Sequence, residues 1–153
     1  MKKKTFPKFN IIWKLLTVML LGILMVLPVR ADTAGSISLS ITPEAEGAEL
    51  TAYAVAWYDQ DTETYTYDEA FKNCGIQLPD FTLNGSDAAT IQNAADQLGV
   101  YAVENKLTGT PVKIDSEGKA QFTGLATPAL YLVSQTGGQN NIDIQRAFVP
   151  LPY

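Results

Sequence analysis

Between residues 35 and 42 the apolar residues Ile37, Leu39 and Ile41 alternate with Ser36, Ser38 and Ser40. A period of two places one set of side chains in a core and the other in water, so this segment predicts an amphipathic first strand. Residues 43–47, with a proline at one end and a glycine at the other, predict a turn. Residues 48–57 carry apolar side chains at both parities, with Leu50, Ala52, Ala54 and Ala56 on one side and Tyr53, Val55 and Trp57 on the other. Such a strand is covered on both faces, as one inside a sandwich would be if a helix or loop lay over its outer side.

The pattern then changes. Thr66 and Glu69 have the spacing of a capping box, in which hydroxyl and carboxylate satisfy reciprocal backbone donors, and predict a short helix over residues 67–74 closed by Gly75. Residues 77–83 contain Pro79 and predict extended or irregular chain. After Asn84-Gly85, Ser86 is the expected N-cap of a long helix with Asp87 in its first turn. Ile91, Ala95, Leu98 and Ala102 fall on one stripe, which Ala88, Ala94 and Tyr101 widen. Gly99 costs a helix roughly 1 kcal/mol against alanine, which implies either close packing or early fraying.

Period two returns at residues 110–114. Ser116-Glu117-Gly118 is turn chemistry, and Ala120 and Phe122 then alternate with Lys119, Gln121 and Thr123. Gly124 breaks this run, and Leu130-Tyr131-Leu132-Val133 resumes it. The two runs read as a hairpin with a tight turn. A loop at residues 137–141 and a last strand at residues 144–149 complete the series. Strands bunched at both ends of the chain, with a helical excursion around residues 67–106, predict a mainly β sandwich with an inserted helical segment rather than an alternating βαβ fold.

Composition changes this picture at the amino terminus. Lys2, Lys3, Lys4, Lys8 and Lys14 precede the uncharged apolar stretch 15–27, and Val29-Arg30-Ala31 has the small-x-small form of a cleavage site. Residues 1–31 are therefore expected to be a signal peptide cut between Ala31 and Asp32, leaving residues 32–153 as a single domain outside the cell or on its surface. The alternative is an uncleaved anchor, and in either case membrane contact runs only through this segment. Six of the eleven basic residues and none of the sixteen acidic ones lie in it, so residues 32–153 hold five bases against sixteen acids, a net charge of −11. Such a surface repels phosphate backbones and excludes nucleic acid as a partner. Cys74 is the only cysteine, so no intrachain disulfide forms, and the expected reading is a buried inert thiol.

The stretch Gly118, Ala120, Phe122, Leu125, Tyr131, Val133 resembles the ending of prealbumin-like, Cna B-type immunoglobulin-like modules of Gram-positive surface proteins. The order of elements from Asp68 to Val133 is similar to the N-terminal domain of sortase-assembled pilin subunits. One departure is Thr127-Pro128-Ala129, where that family usually has a glycine before its tyrosine. The resemblance implies an immunoglobulin-like (prealbumin-like) β-sandwich, no catalysis, and other surface or pilin subunits as partners. It also implies an intramolecular isopeptide between a first-strand lysine and a last-strand asparagine. The first strand here has no lysine, the earliest after residue 31 being Lys72, so none is expected. Neither a Tyr-Pro-Lys motif nor a Leu-Pro-x-Thr-Gly signal occurs in the sequence, which ends at Val149-Pro150-Leu151-Pro152-Tyr153. On this reading the domain is either naturally short or truncated at its carboxy terminus.

Candidate chemistry is sparse. There is no histidine for proton transfer or metal ligation, no paired cysteine, and no Gly-x-Ser-x-Gly, phosphate-loop or dinucleotide motif. The expectation is a structural or adhesive module that is not an enzyme and has no cofactor. Asp59, Asp61 and Glu63 alternate, but without the glycine and distal glutamate of an EF-hand they read as a solvated acidic loop. Tyr53 and Tyr67 bracket the same region, in which exposed aromatics could stack on a sugar or protein ligand. The candidate contact residues are Trp57, Tyr58, Asp59, Asp61, Glu63 and Tyr65. The alternative function is accordingly a secreted module recognising a glycan or host matrix through residues 57–67.

Overall fold

The computed structural model describes residues 34–138 and 142–152. The expected signal peptide, with its cleavage point at Ala31 and Asp32, lies outside the described residues. Seven strands and one α-helix follow in the order β1 (Gly35–Ser40), β2 (Glu49–Asp59), β3 (Thr64–Tyr67), α1 (Ala88–Glu104), β4 (Thr110–Lys113), β5 (Lys119–Leu125), β6 (Ala129–Gly137) and β7 (Ala147–Leu151). The molecule is mainly β, with every strand pairing antiparallel.

Three layers result. In the larger sheet β2 is central: β6 lies along one of its edges with β7 beyond, and β3 and β4 share the other edge. The second sheet is the pair β1–β5. Between the two sheets lies one core, in which Ile37, Leu50, Ala120, Phe122, Tyr131 and Val133 are buried. A second core, between the larger sheet and α1, holds Tyr53, Val55, Phe71, Leu98, Leu130 and Leu132. The doubly apolar strands β2 and β6 are thus the middle layer, as their sequences require.

The expected hairpin does not form. β5 pairs with β1, placing Phe122 opposite Ile37, whereas β6 pairs with β2 and β7. Residues 126–128 carry the chain from one sheet to the other, and the Tyr131 hydroxyl donates to the Ala126 carbonyl at 2.9 Å across that step. Burial explains the separation. β5 buries one face, which suits an outer layer, while β6 buries both, which suits the middle one.

The second strand departs from simple alternation. Ala54 faces Tyr131 and Ala56 faces Leu130, so Val55 is an extra residue in a β-bulge. Beyond it the faces exchange: Ala56 joins Val55 in the helix-side core and Trp57 turns toward the inter-sheet core. The bulged Val55 carbonyl accepts from the Asp68 backbone N–H at 2.8 Å.

The short helix over residues 67–74 is replaced by strand and turns. Thr66 pairs opposite Trp57 in β3 and is unavailable as a cap. Asp68 directs the turn instead, its carboxylate accepting from the Ala70 N–H at 3.0 Å and its carbonyl from Phe71 at 2.9 Å. Cys74 is half-buried rather than buried. In the long helix the N-cap is Asp87, which accepts from the Thr90 N–H at 2.7 Å, and not Ser86, whose hydroxyl accepts from the Asp80 N–H at 3.0 Å. Ala94, Ala95, Leu98, Gly99 and Ala102 form the buried stripe, while Ile91 is half-buried and Ala88 exposed. Gly99 is a close-packing position: a Cβ there would stand 2.2 Å from Nε of Arg146. The last strand begins at Ala147 rather than residue 144. It tolerates Pro150 because it is an edge strand with β6 on one side only.

Candidate functional site

The β2–β3 hairpin builds the region that the aromatic and acidic residues single out. Register places Tyr58 opposite Tyr65 and Asp59 opposite Thr64. Directly opposed residues share a face, and the two tyrosine rings meet at 5.1 Å between centroids with a 58° tilt. At the tip, the Asp59 carboxylate accepts from the N–H groups of Asp61 at 2.9 Å and Thr62 at 3.4 Å, and Glu63 closes the turn at φ 53°. The alternating acids are therefore turn chemistry. Among the described residues no three histidine, cysteine, aspartate or glutamate side chains converge in a way that could hold a metal ion.

Beside this hairpin runs an open groove of about 660 Å³. Tyr58, Glu63 and Tyr65 line one wall with Gln60 and Thr64; residues 78–82 line another; Pro128 and residues 150–152 complete it. Of the six candidate contact residues, the structure brings Tyr58, Glu63 and Tyr65 to the groove. Asp59 and Asp61 stay at the hairpin tip outside its lining. Beyond the bulge Trp57 points the other way, and its indole N–H donates to the Asp68 carboxylate at 2.7 Å.

The groove owes as much to residues that local pattern does not mark. Phe81 stands edge-on to Tyr65 at 6.2 Å and 75°, and to Phe148 at 5.3 Å and 77°, extending the tyrosine pair into a row of four rings. Pro79, Pro128, Pro150 and Pro152 reach the same groove from three separate segments. Sequence marks the wall at residues 78–82 by no more than an aromatic beside Pro79 and Asp80 in a stretch without periodicity. Phe81 is 37% exposed, and Leu83, two residues on, is fully exposed. The loop holding them is tied at its base, where the Ser86 N–H donates to the Asp80 carbonyl at 2.8 Å and the Asp80 carboxylate accepts from the Thr82 N–H at 2.9 Å.

Electrostatics in the groove are set by Glu63 and Asp80, with no lysine or arginine in the lining. The hydrogen bonds from Thr82 hold the Asp80 carboxyl below the ordinary aspartate range, so it is an anion at neutral pH. Burial, aided by the neighbouring Tyr58, pushes the Tyr65 phenol up, leaving a neutral hydroxyl. Below the groove, burial and the Cys74 thiol raise Tyr67, whose hydroxyl donates to the Ile76 carbonyl at 2.9 Å. Lys72, Lys106, Lys113 and Lys119 are all exposed, so none of these four stands in the apolar setting that neutral-lysine cross-linking needs.

By sequence the chain matches no known family and no curated protein. Its fold is similar to that of the T6 backbone pilin of serotype M6 Streptococcus pyogenes, a protein with a modular three-domain structure decorated with variable loops and extensions. The TM-score is 0.51 at 17% identity, over 78% of this chain and 23% of that one, so this chain spans about a quarter of that pilin's length. At such identity what the two share is the fold, a mainly β, antiparallel sandwich of the pilin type.

Proposed function

We propose that this chain is an exported, non-catalytic surface module whose work is structural or adhesive and whose partners are other surface or pilin-like subunits. The observation that carries this reading is the mainly β, antiparallel sandwich, whose fold is similar to that of a backbone pilin over 78% of the chain. The basic and then apolar pattern of residues 1–31 supports export, and among the described residues no helix is long and apolar enough to cross a membrane. The absence of histidine and the single cysteine support a non-catalytic role. Cell fractionation with amino-terminal sequencing tests the proposal. The expected product starts at Asp32 in the surface or extracellular fraction, in high-mass assemblies or on their subunits; retention in the cytoplasm would refute it.

The groove beside the β2–β3 hairpin favours a second reading, a secreted module that binds a glycan or host matrix ligand. Tyr58, Glu63 and Tyr65 are its contacts, and Trp57 supports the hairpin from behind. Ligand binding should then be lost on Tyr65→Ala. Undiminished binding by that variant would remove the groove from the account.

A further inference from the structure

We infer that the groove between the β2–β3 hairpin and the Phe81 loop takes an extended, proline-rich peptide segment carrying basic residues. This rests on the reading of the groove as a binding surface and names its ligand class. Ring geometry is the first argument. Sugars stack on flat, open ring faces, but Tyr58, Tyr65 and Phe81 are tilted 58° and 75° to their neighbours and offer furrows between edges instead. Furrows between tilted aromatics accept pyrrolidine rings, and a polyproline II segment is already extended, so little ordering entropy is lost on docking. Centroid steps of 5.1 and 6.2 Å put Tyr58 and Phe81 at most about 11 Å apart, comparable to the rise of about 9 Å in one turn of that helix.

Charge complementarity is the second argument. Glu63 and Asp80 lie in the groove lining without any basic residue, on a domain whose net charge is −11. An acidic ligand, a second copy of this chain included, is repelled, while a lysine or arginine between prolines meets a carboxylate. The exposed Leu83 beside the rim adds apolar surface that an extended segment can cover as it leaves the groove.

Titration calorimetry on the full chain with a synthetic peptide of four Pro-Pro-Arg repeats tests the inference, with Pro-Pro-Glu and Gly-Ser-Arg repeats and a cellulose oligosaccharide as competitors. Saturable binding of the first is expected, at least about tenfold tighter than either other peptide and weakened by salt. Tyr65→Ala and the exposed charge reversal Glu63→Lys should each weaken it by about tenfold or more, with unchanged melting for Glu63→Lys as the check on folding. Equal affinity for Pro-Pro-Arg and Gly-Ser-Arg repeats would overturn the inference, reducing the effect to charge alone. Saccharide binding that is lost in Tyr65→Ala would overturn the peptide ligand and leave the groove reading standing. No binding of any probe would overturn both.

Discussion

Replacing Gly99 by alanine should weaken this fold although alanine is the better helix former. In isolation the change favours α1 by about 0.5–1 kcal/mol. Here the new Cβ would stand 2.2 Å from Nε and 2.4 Å from Cδ of Arg146, so the arginine must leave. Its Nε donates to the Ser134 hydroxyl at 3.0 Å, and that serine is 2% exposed, its hydroxyl also donating to the Gln135 carbonyl at 3.4 Å. A charge-assisted hydrogen bond of this kind contributes about 1.5–3 kcal/mol. The ion pair from Arg146 to Asp96, at 3.3 Å with side chains 31% and 50% exposed, adds at most about 1 kcal/mol. The net expectation is a loss of about 1–2 kcal/mol, read as a drop of roughly 4–8 °C in melting temperature. The decisive comparison is the same substitution in an Arg146→Ala background, where the clash is gone and only the helix propensity remains. There Gly99→Ala should stabilise by about 0.5–1 kcal/mol, reversing sign. Equal effects in the two backgrounds, measured by urea or thermal unfolding, would refute the account of Gly99 as the seat of the arginine.

Two further outcomes follow from the same geometry. Tyr131→Phe removes the donor to the Ala126 carbonyl that pins the step between the sheets, and should cost about 1–2 kcal/mol in urea unfolding without altering secondary structure; an unchanged midpoint would show the pin to be dispensable. Alkaline pH should destabilise the domain. Burial raises the phenols of Tyr65, Tyr67 and Tyr131 above the ordinary value, so the folded chain holds these protons more tightly than the unfolded one. Their contribution is complete below about pH 10 and lost as pH rises through the raised folded values. Melting temperature should therefore stay level toward about pH 9 and fall above about pH 10, with phenolate absorbance appearing alongside unfolding; ionisation of all three at the ordinary value with melting unchanged would contradict it.

Every strand except β3 is visible in the apolar pattern of the sequence, because burial on one face writes a period of two and burial on both writes a continuous apolar run, regardless of what supplies the cover. The long helix is visible for the matching reason at its own period, and its N-cap lies one residue from the expected Ser86 only because Asp87 and Ser86 are both competent acceptors. β3 is missed because its four residues, exposed threonines and half-buried tyrosines, are too short a run to stand out beside the acidic loop and the Thr66–Glu69 cap signal, and their order comes from pairing with β2. The false helix over residues 67–74 has the same origin: Thr66 and Glu69 are a sound local cap, but a ladder of strand bonds outcompetes one helical turn.

The sequence by itself determined that the fold is mainly β with one substantial helix, and that residues 57–67 are one aromatic and acidic region. These are local properties, set by side-chain period and turn chemistry. Only the tertiary structure decided which strands pair, so that β5 and β6, adjacent in the chain, lie in different sheets. It alone showed that the Val55 bulge moves Trp57 off the face of Tyr53 and Val55, and that Phe81, Pro128 and Pro150 converge on the same groove. A strand's alternation states that a face is buried and says nothing of what buries it; partner choice is settled by packing between segments far apart in sequence, where the two-faced β2 and β6 take the middle and the one-faced β1 and β5 close over them.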